Sequence, residues 1–119
     1  MKVKTSILNG VALDWAVATA EGHKAELDDN EVVSWKVILS NAYRLVWQPS
    51  TNWSQAGAII ERELITLDYN PLNPNEGRPW IATTRSGAEE YGATPLIAAM
   101  RAYVSSVFGD DVDIPEDLL

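Results

Sequence analysis

Residues 94–109, TPLIAAMRAYVSSVFG, constrain this chain more than any other stretch. Thr94 has a side-chain oxygen suited to capping a helix. Pro95 has the fixed φ and the missing N–H that suit the first helical position, and Gly109 suits the position just past the end. The spacing predicts a helix over 95–108. Leu96, Ala99, Met100, Tyr103 and Val107 form one apolar stripe, with Ile97, Val104 and Phe108 beside it. Ala98, Ala102 and Ser105 form a third stripe made only of small side chains. A helix that is apolar nearly all round must be buried, so the rest of the chain is expected to wrap it. The small stripe admits a second backbone at close range. That backbone is expected from the same chain, with a homo-oligomer through this C-terminal helix as the alternative. Arg101 shares a flank with Ile97, Val104 and Phe108. Its guanidinium must snorkel to water or find an acid, because an unpaired buried charge is very costly. Asp14 is the expected partner across a helix–helix contact, and anion binding is the alternative role.

The whole chain has 119 residues, enough for one domain over 1–119 and too few for two stable cores. Its hydrophobic share of 46% is that of a globular protein. No run approaches the roughly 20 apolar residues of a membrane span. The start, MKVKTSILNG, has too short an apolar stretch for a signal peptide. Without cysteine there are no disulfides, Cys-based zinc sites or thiol nucleophiles, and a single histidine excludes any site that needs two. The net charge of −8 is uneven. Glu21, Glu26, Asp28, Asp29 and Glu31 crowd one segment against Lys24 alone. Asp110, Asp111, Asp113, Glu116 and Asp117 fill the acidic tail, 110–119. The body between them is nearly neutral. Two acidic segments keep a small domain soluble, or they offer a surface to a basic partner. Direct binding to nucleic acid is disfavoured, because phosphate contacts need a cationic patch.

Asn9 caps a predicted helix over 10–21, with Leu13, Ala16, Val17 and Ala20 on the apolar side and Asp14 and Glu21 on the wet side. Residues 23–31 read as an acidic loop. Val33, Trp35, Val37 and Leu39 alternate with Ser34, Lys36 and Ile38, which predicts a strand over 32–40. After a turn at Asn41-Ala42, Tyr43, Leu45 and Trp47 alternate likewise, completing a hairpin. Gln48 to Trp53 is a loop in which Ser50 or Thr51 caps a turn carrying Trp53. A short helix over 56–63 turns Ile59 and Ile60 inward. Leu64 to Tyr69 and Trp80 to Thr84 form a second hairpin around 70–79, NPLNPNEGRP, whose three prolines exclude regular structure. Residues 85–92 read as a polar link. The expected fold is α+β: a mainly antiparallel sheet of three to four strands against two main helices, in the order α-β-β-α-β-β-α.

Several phrases, none specific alone, are specific as a series: Leu13-Asp14-Trp15-Ala16-Val17-Ala18, Pro49-Ser50-Thr51-Asn52-Trp53, and Gly57-Ala58-Ile59-Ile60-Glu61-Arg62-Glu63. Trp80-Ile81-Ala82, Thr94-Pro95-Leu96-Ile97-Ala98-Ala99-Met100-Arg101 and Val112-Asp113-Ile114-Pro115-Glu116 follow. In this order and spacing the chain resembles the phage NinX-like family, small proteins of phages and prophages of unknown function. The resemblance covers almost the whole chain. One departure is Ala58, where related sequences often carry proline. The resemblance implies a phage or prophage origin and a setting in the host cytoplasm, and it implies no particular activity.

The residue types give little catalytic chemistry. His23, between Glu21 and Glu26, reads as a solvated histidine rather than an acid, a base or the start of a metal site. No G-x-S-x-G elbow, phosphate-binding glycine loop or EF-hand spacing occurs, so no cofactor and no metal are expected. Five tryptophans are many for this length. Trp15, Trp35 and Trp47 occupy core-face positions, whereas Trp53 and Trp80 flank loops. A binding groove is therefore expected from Pro49, Ser50, Thr51, Trp53, Trp80 and Arg101. The leading functional expectation is a non-enzymatic phage accessory protein that binds a host or phage protein. The alternatives are a small-ligand-binding or enzymatic domain with a pocket near Trp53, Trp80 and Arg101, and an acidic nucleic-acid mimic. The mimic requires both acidic segments to lie in one ordered stripe.

Overall fold

The computed structural model describes residues 1–28, 36–39, 45–72 and 77–119. Among these residues it has three α-helices: α1 (Gly10–Ala20), α2 (Trp53–Glu63) and α3 (Pro95–Phe108). The strands are β1 (Lys2–Lys4), β2 (Ala25–Asp28), β3 (Lys36–Leu39), β4 (Leu45–Trp47), β5 (Thr66–Tyr69), β6 (Trp80–Thr83), β7 (Glu89–Gly92) and β8 (Asp111–Asp113). They pair antiparallel in three small sheets, β1-β8, β2-β3-β4 and β5-β6-β7. The fold is α+β. The single sheet expected from the hairpins is instead three sheets. Three helices of comparable length replace two main ones, and the described order opens on a strand and closes with a strand and a short 3-10 turn over Glu116–Leu118. The hairpins stay separate because α2 carries the chain away from β4 before β5 begins.

Helix α3 lies at the centre. Thr94 Oγ1 accepts from the Ile97 N–H at 3.1 Å, Pro95 opens the first turn, and Gly109 ends the helix at a φ of 84°. Every residue from Leu96 to Val104 except Ile97 is buried. One side of α3 meets β6 and β7, another meets α1, and α2 packs alongside. Helix α1 in turn rests on β2 and β3. Two adjacent helices thus carry a sheet on each outer side. Leu8, Leu13, Val17, Ile59, Met100 and Val104 are among the residues that fill the core.

The small stripe of α3 does what its residue sizes allow. A Cβ placed on Gly92, at the end of β7, would lie 2.6 Å from the Ala98 nitrogen and 3.0 Å from its Cα. The obstruction is backbone, which cannot swing aside. Strand and helix approach this closely only because Gly92 has no side chain. Val107 and Phe108, in the last turn, are the large apolar side chains that α3 leaves exposed.

Helix α1 is capped by Asn9, whose Oδ1 accepts from the Gly10 N–H, and it buries Leu13, Ala16 and Val17 as its spacing predicts. Asp14 departs from expectation: it is buried rather than wet. Helix α2 starts earlier than predicted because Asn52, rather than Ser50 or Thr51, is its cap, its Oδ1 accepting from the Gln55 N–H at 3.2 Å. Trp53 becomes the first helical residue. The helix ends at Leu64, which adopts the left-handed conformation (φ 53°, ψ 47°) and is 60% exposed.

The hairpin of β5 and β6 forms as predicted, with Tyr69 opposite Trp80. Three strands occupy segments read as loop, link or tail. Strand β2 lies in the acidic loop, β7 in the polar link, and β8 in the acidic tail. Strand β8 pairs with β1 so that Lys4 faces Asp111 and Lys2 faces Asp113, while Val112 and Ile114 are buried. The tail's acids therefore meet the basic residues of β1. Trp47 is buried, and Trp15 is half-buried against the core. Trp35, the turn at Asn41-Ala42, Tyr43 and residues 73–76 of the proline-rich loop lie outside the described residues. No described helix is long and apolar enough to cross a membrane.

Two substitutions test this packing. Gly92→Ala should force β7 away from α3 and cost about 3 kcal/mol in urea unfolding. Leu64→Gly should stabilise the fold by about 0.5–1 kcal/mol, because it relieves a left-handed Leu whose side chain buries little.

Candidate functional site

The loop that carries Trp53 is built on Asp14. Ser50 N–H donates to Asp14 Oδ1 at 2.9 Å, and the Ser50 hydroxyl bonds the same carboxylate. Pro49 and Ser50 are buried beneath the loop, and Thr51 is exposed on it. The N–H groups of Thr51 and Asn52 both donate to the Gln48 carbonyl, at 3.1 and 3.0 Å. Gln55 closes the other side. Its Oε1 accepts from the Gln48 N–H at 2.7 Å and its Nε2 donates to the Val46 carbonyl at 2.8 Å. The first turn of α2 is thereby fixed to β4. From this support Trp53 projects 56% exposed, and Leu45 and Val46 of β4, the strand that Gln55 bonds, are also exposed. A large apolar side chain held in water by a rigid loop is the geometry of a contact residue.

Trp80 lies elsewhere. It is half-buried on β6, its ring 5.0 Å from that of Tyr69 and tilted by 58°. No ring contact among the described residues joins it to Trp53. Arg101 lies inside the fold. Its Nε donates to the Leu8 carbonyl at 2.7 Å and an Nη donates to the Tyr91 carbonyl at 2.8 Å. The predicted pair with Asp14 does not form, because each group is taken by a nearer backbone. Asp14 holds the 48–52 turn, and Arg101 clamps α3 to the segment before α1 and to β7. The six residues expected to share one groove therefore divide into a Trp53 cluster, a Trp80–Tyr69 pair and an internal clamp. His23 is exposed, with its ring 5.3 Å from Trp47 in an edge-on arrangement.

A second polar cluster joins the three helices. Arg62 on α2 donates two bonds to the Glu21 carboxylate, at 2.9 and 2.7 Å, and a third to Glu63 at 2.8 Å. Tyr103 on α3 donates its hydroxyl to Glu21 at 2.6 Å. Burial pushes the Glu21 carboxyl up, but the bonds from Arg62 and Tyr103 pull it down further, so it lies below its ordinary value. Asp14 shows the opposite balance. Burial raises it to about 6, against the lowering effect of its bonds to Ser50. Burial likewise lowers Arg101, helped by Arg78 and opposed by Glu90. Among the described residues no three His, Asp or Glu side chains converge where a metal ion would sit.

The family described as Bacteriophage P22, NinX has a model that matches residues 4–106, from β1 to the last turn of α3. The chain belongs to the NinX family. No curated protein shows a significant match to its sequence. The matched span holds α1, α2, α3 up to its last two residues and the whole 48–52 turn of this NinX-family protein, and strand β8 falls outside it.

Sequence reasoning missed the Asp14–Ser50 anchor, Gln55 and the Tyr69 partner of Trp80. The one available signal was an acid set between Leu13 and Trp15 in a helix otherwise rich in apolar residues.

Asp14 gives a pH test. Its folded value, about 6, exceeds the ordinary 3.8, so the fold binds its proton more tightly than the unfolded chain does. This contribution to stability is fully present below pH 3.8 and is lost as the pH rises through about 6, a difference of about 3 kcal/mol. Asp14→Asn keeps an acceptor for Ser50 and should flatten unfolding free energy across that window. Asp14→Ala should instead lower stability at neutral pH by about 1–3 kcal/mol, because Ser50 loses its acceptor.

Proposed function

We propose that this NinX-family protein is a phage accessory protein of the host cytoplasm that acts by binding a host or phage protein rather than by catalysis. The observation that carries this reading is the exposure of Trp53 at the start of α2, whose surroundings are fixed by Asp14, Asn52 and Gln55. Exposing an indole to water is unfavourable, and holding the backbone beneath it rigid limits the entropy lost on association. Trp is enriched among residues that dominate binding energy, where it is ringed by weaker apolar contacts. Leu45 and Val46, on the strand that Gln55 bonds, add exposed apolar surface. Thr51 adds a hydroxyl on the exposed rim, and Pro49 and Ser50 act from below by holding the loop.

The test is affinity capture from infected and uninfected host lysates with the wild-type protein and a Trp53→Ala variant. Circular dichroism confirms that both are folded. The expected result is one protein retained by the wild type and reduced at least about tenfold by the variant, the loss typical of a binding hot spot. Equal retention by both would remove Trp53 from the binding surface. Retention that Trp80→Ala abolishes and Trp53→Ala leaves intact would move the surface to the β5–β6 hairpin.

A further inference from the structure

Each of the two larger sheets has edge strands whose outward backbone groups need partners, and three of these edges are treated differently. On β4, the Val46 carbonyl is taken by Gln55 Nε2. On β7, the Tyr91 carbonyl is taken by Arg101. A side chain thus occupies each of these edges. Strand β5 is the other edge of the β5-β6-β7 sheet. The Asn70 N–H donates to the Pro79 carbonyl at 2.8 Å, which sets the phase of this antiparallel ladder. Thr66, Asp68 and Asn70 turn their backbone groups toward β6, so Leu67 and Tyr69 turn theirs outward. No described residue bonds those outward groups, and the elements that β5 packs on are β6 and α3.

The side chains around this edge are those of a binding site. Tyr69 is exposed and rests on Trp80, and Leu72, just beyond the strand, is 88% exposed. Leu67 and Tyr69 share the face of Trp80, while Asp68 points to the opposite face and is exposed. We infer that the outer edge of β5 accepts an extended segment of a basic, aliphatic partner protein as an added antiparallel strand. Apolar residues of that segment lie beside Leu67 and Tyr69, and a Lys or Arg lies opposite Asp68. A second copy of this chain fits poorly. The register that uses all four outward groups sets Asp68 of one copy opposite Asp68 of the other, and each copy carries a net charge of −8. The inference rests on the protein-binding reading but uses a different surface from Trp53.

Amide hydrogen exchange followed by NMR tests it, with the capped peptide Lys-Val-Lys-Val-Lys-Val as probe. In the free protein, the amides of Leu67 and Tyr69 should exchange fast and those of Thr66, Asp68 and Asn70 slowly. Added peptide should slow Leu67 and Tyr69 by at least about tenfold. Asp68→Lys should weaken the peptide about tenfold, Asp68→Asn should weaken it less, and the matching Glu-Val peptide should not bind. Three outcomes would overturn the assignment. Leu67 and Tyr69 could already be protected in the free protein. Saturating peptide could leave both unchanged. Protection could rise with protein concentration alone, which would show a second copy on the edge. If the edge fails while Trp53→Ala still abolishes capture of a partner, the protein-binding reading stands and only this assignment falls.

Discussion

The close approach of Gly92 to Ala98 sets the geometry of everything around it. Strand β7 can lie on α3 only because Gly92 brings no side chain against the Ala98 backbone. That contact fixes the depth at which the β5-β6-β7 sheet rests on the helix. Arg101 then bonds the Tyr91 carbonyl, one residue before Gly92, and reaches the Leu8 carbonyl with its other arm. One side chain thereby ties β7, α3 and the entry to α1. Apolar burial supplies most of the driving force for such a core, but it is non-directional. Steric contact and hydrogen bonding choose among the packings that apolar burial alone would tolerate.

Two carboxylates show how surroundings set chemistry. Asp14 is buried and Glu21 is half-buried. Glu21 meets a guanidinium and a phenol, and it stays ionised more readily than a free carboxylate. Asp14 meets one backbone N–H and one hydroxyl, neither of them charged, and it holds its proton to higher pH. The first ties three helices together. The second holds a turn at the expense of some stability near neutral pH. A buried charge without a countercharge is retained where position matters, and here the position is that of the segment leading to Trp53.

Local signals were legible and long-range ones were not. Helix α3 could be read to its ends, because Thr94, Pro95 and Gly109 act on their own neighbours. The β5–β6 hairpin could be read because two alternating runs flank a proline-rich turn. Strand β7 was hidden because its core-facing residues are Glu90 and Gly92, which carry no apolar alternation. Strands β2 and β8 were hidden because their acidic residues looked like solvated loop and tail. Alternation says that a strand exists but not which sheet receives it, so three sheets read as one. The flank of Arg101 was evident from helical spacing. Its partners were not, because a backbone carbonyl has no residue type. The same limit hid the anchor of Trp53: Ser50 offers Asp14 a main-chain N–H across 36 positions of sequence. The family was legible because it rests on the order of many short phrases and not on any one contact.

The β1–β8 ribbon joins strands near opposite ends of the sequence, Lys2 lying against Asp113. Closing a loop of that span costs more conformational entropy than any hairpin in the molecule, and three residue pairs repay little of it. The ribbon therefore depends on the helices and hairpins to hold its strands together. Without it Val112 and Ile114 would lie in water, and the part of the core they cover would be open. Two strands far apart in sequence thus cover one part of the core together.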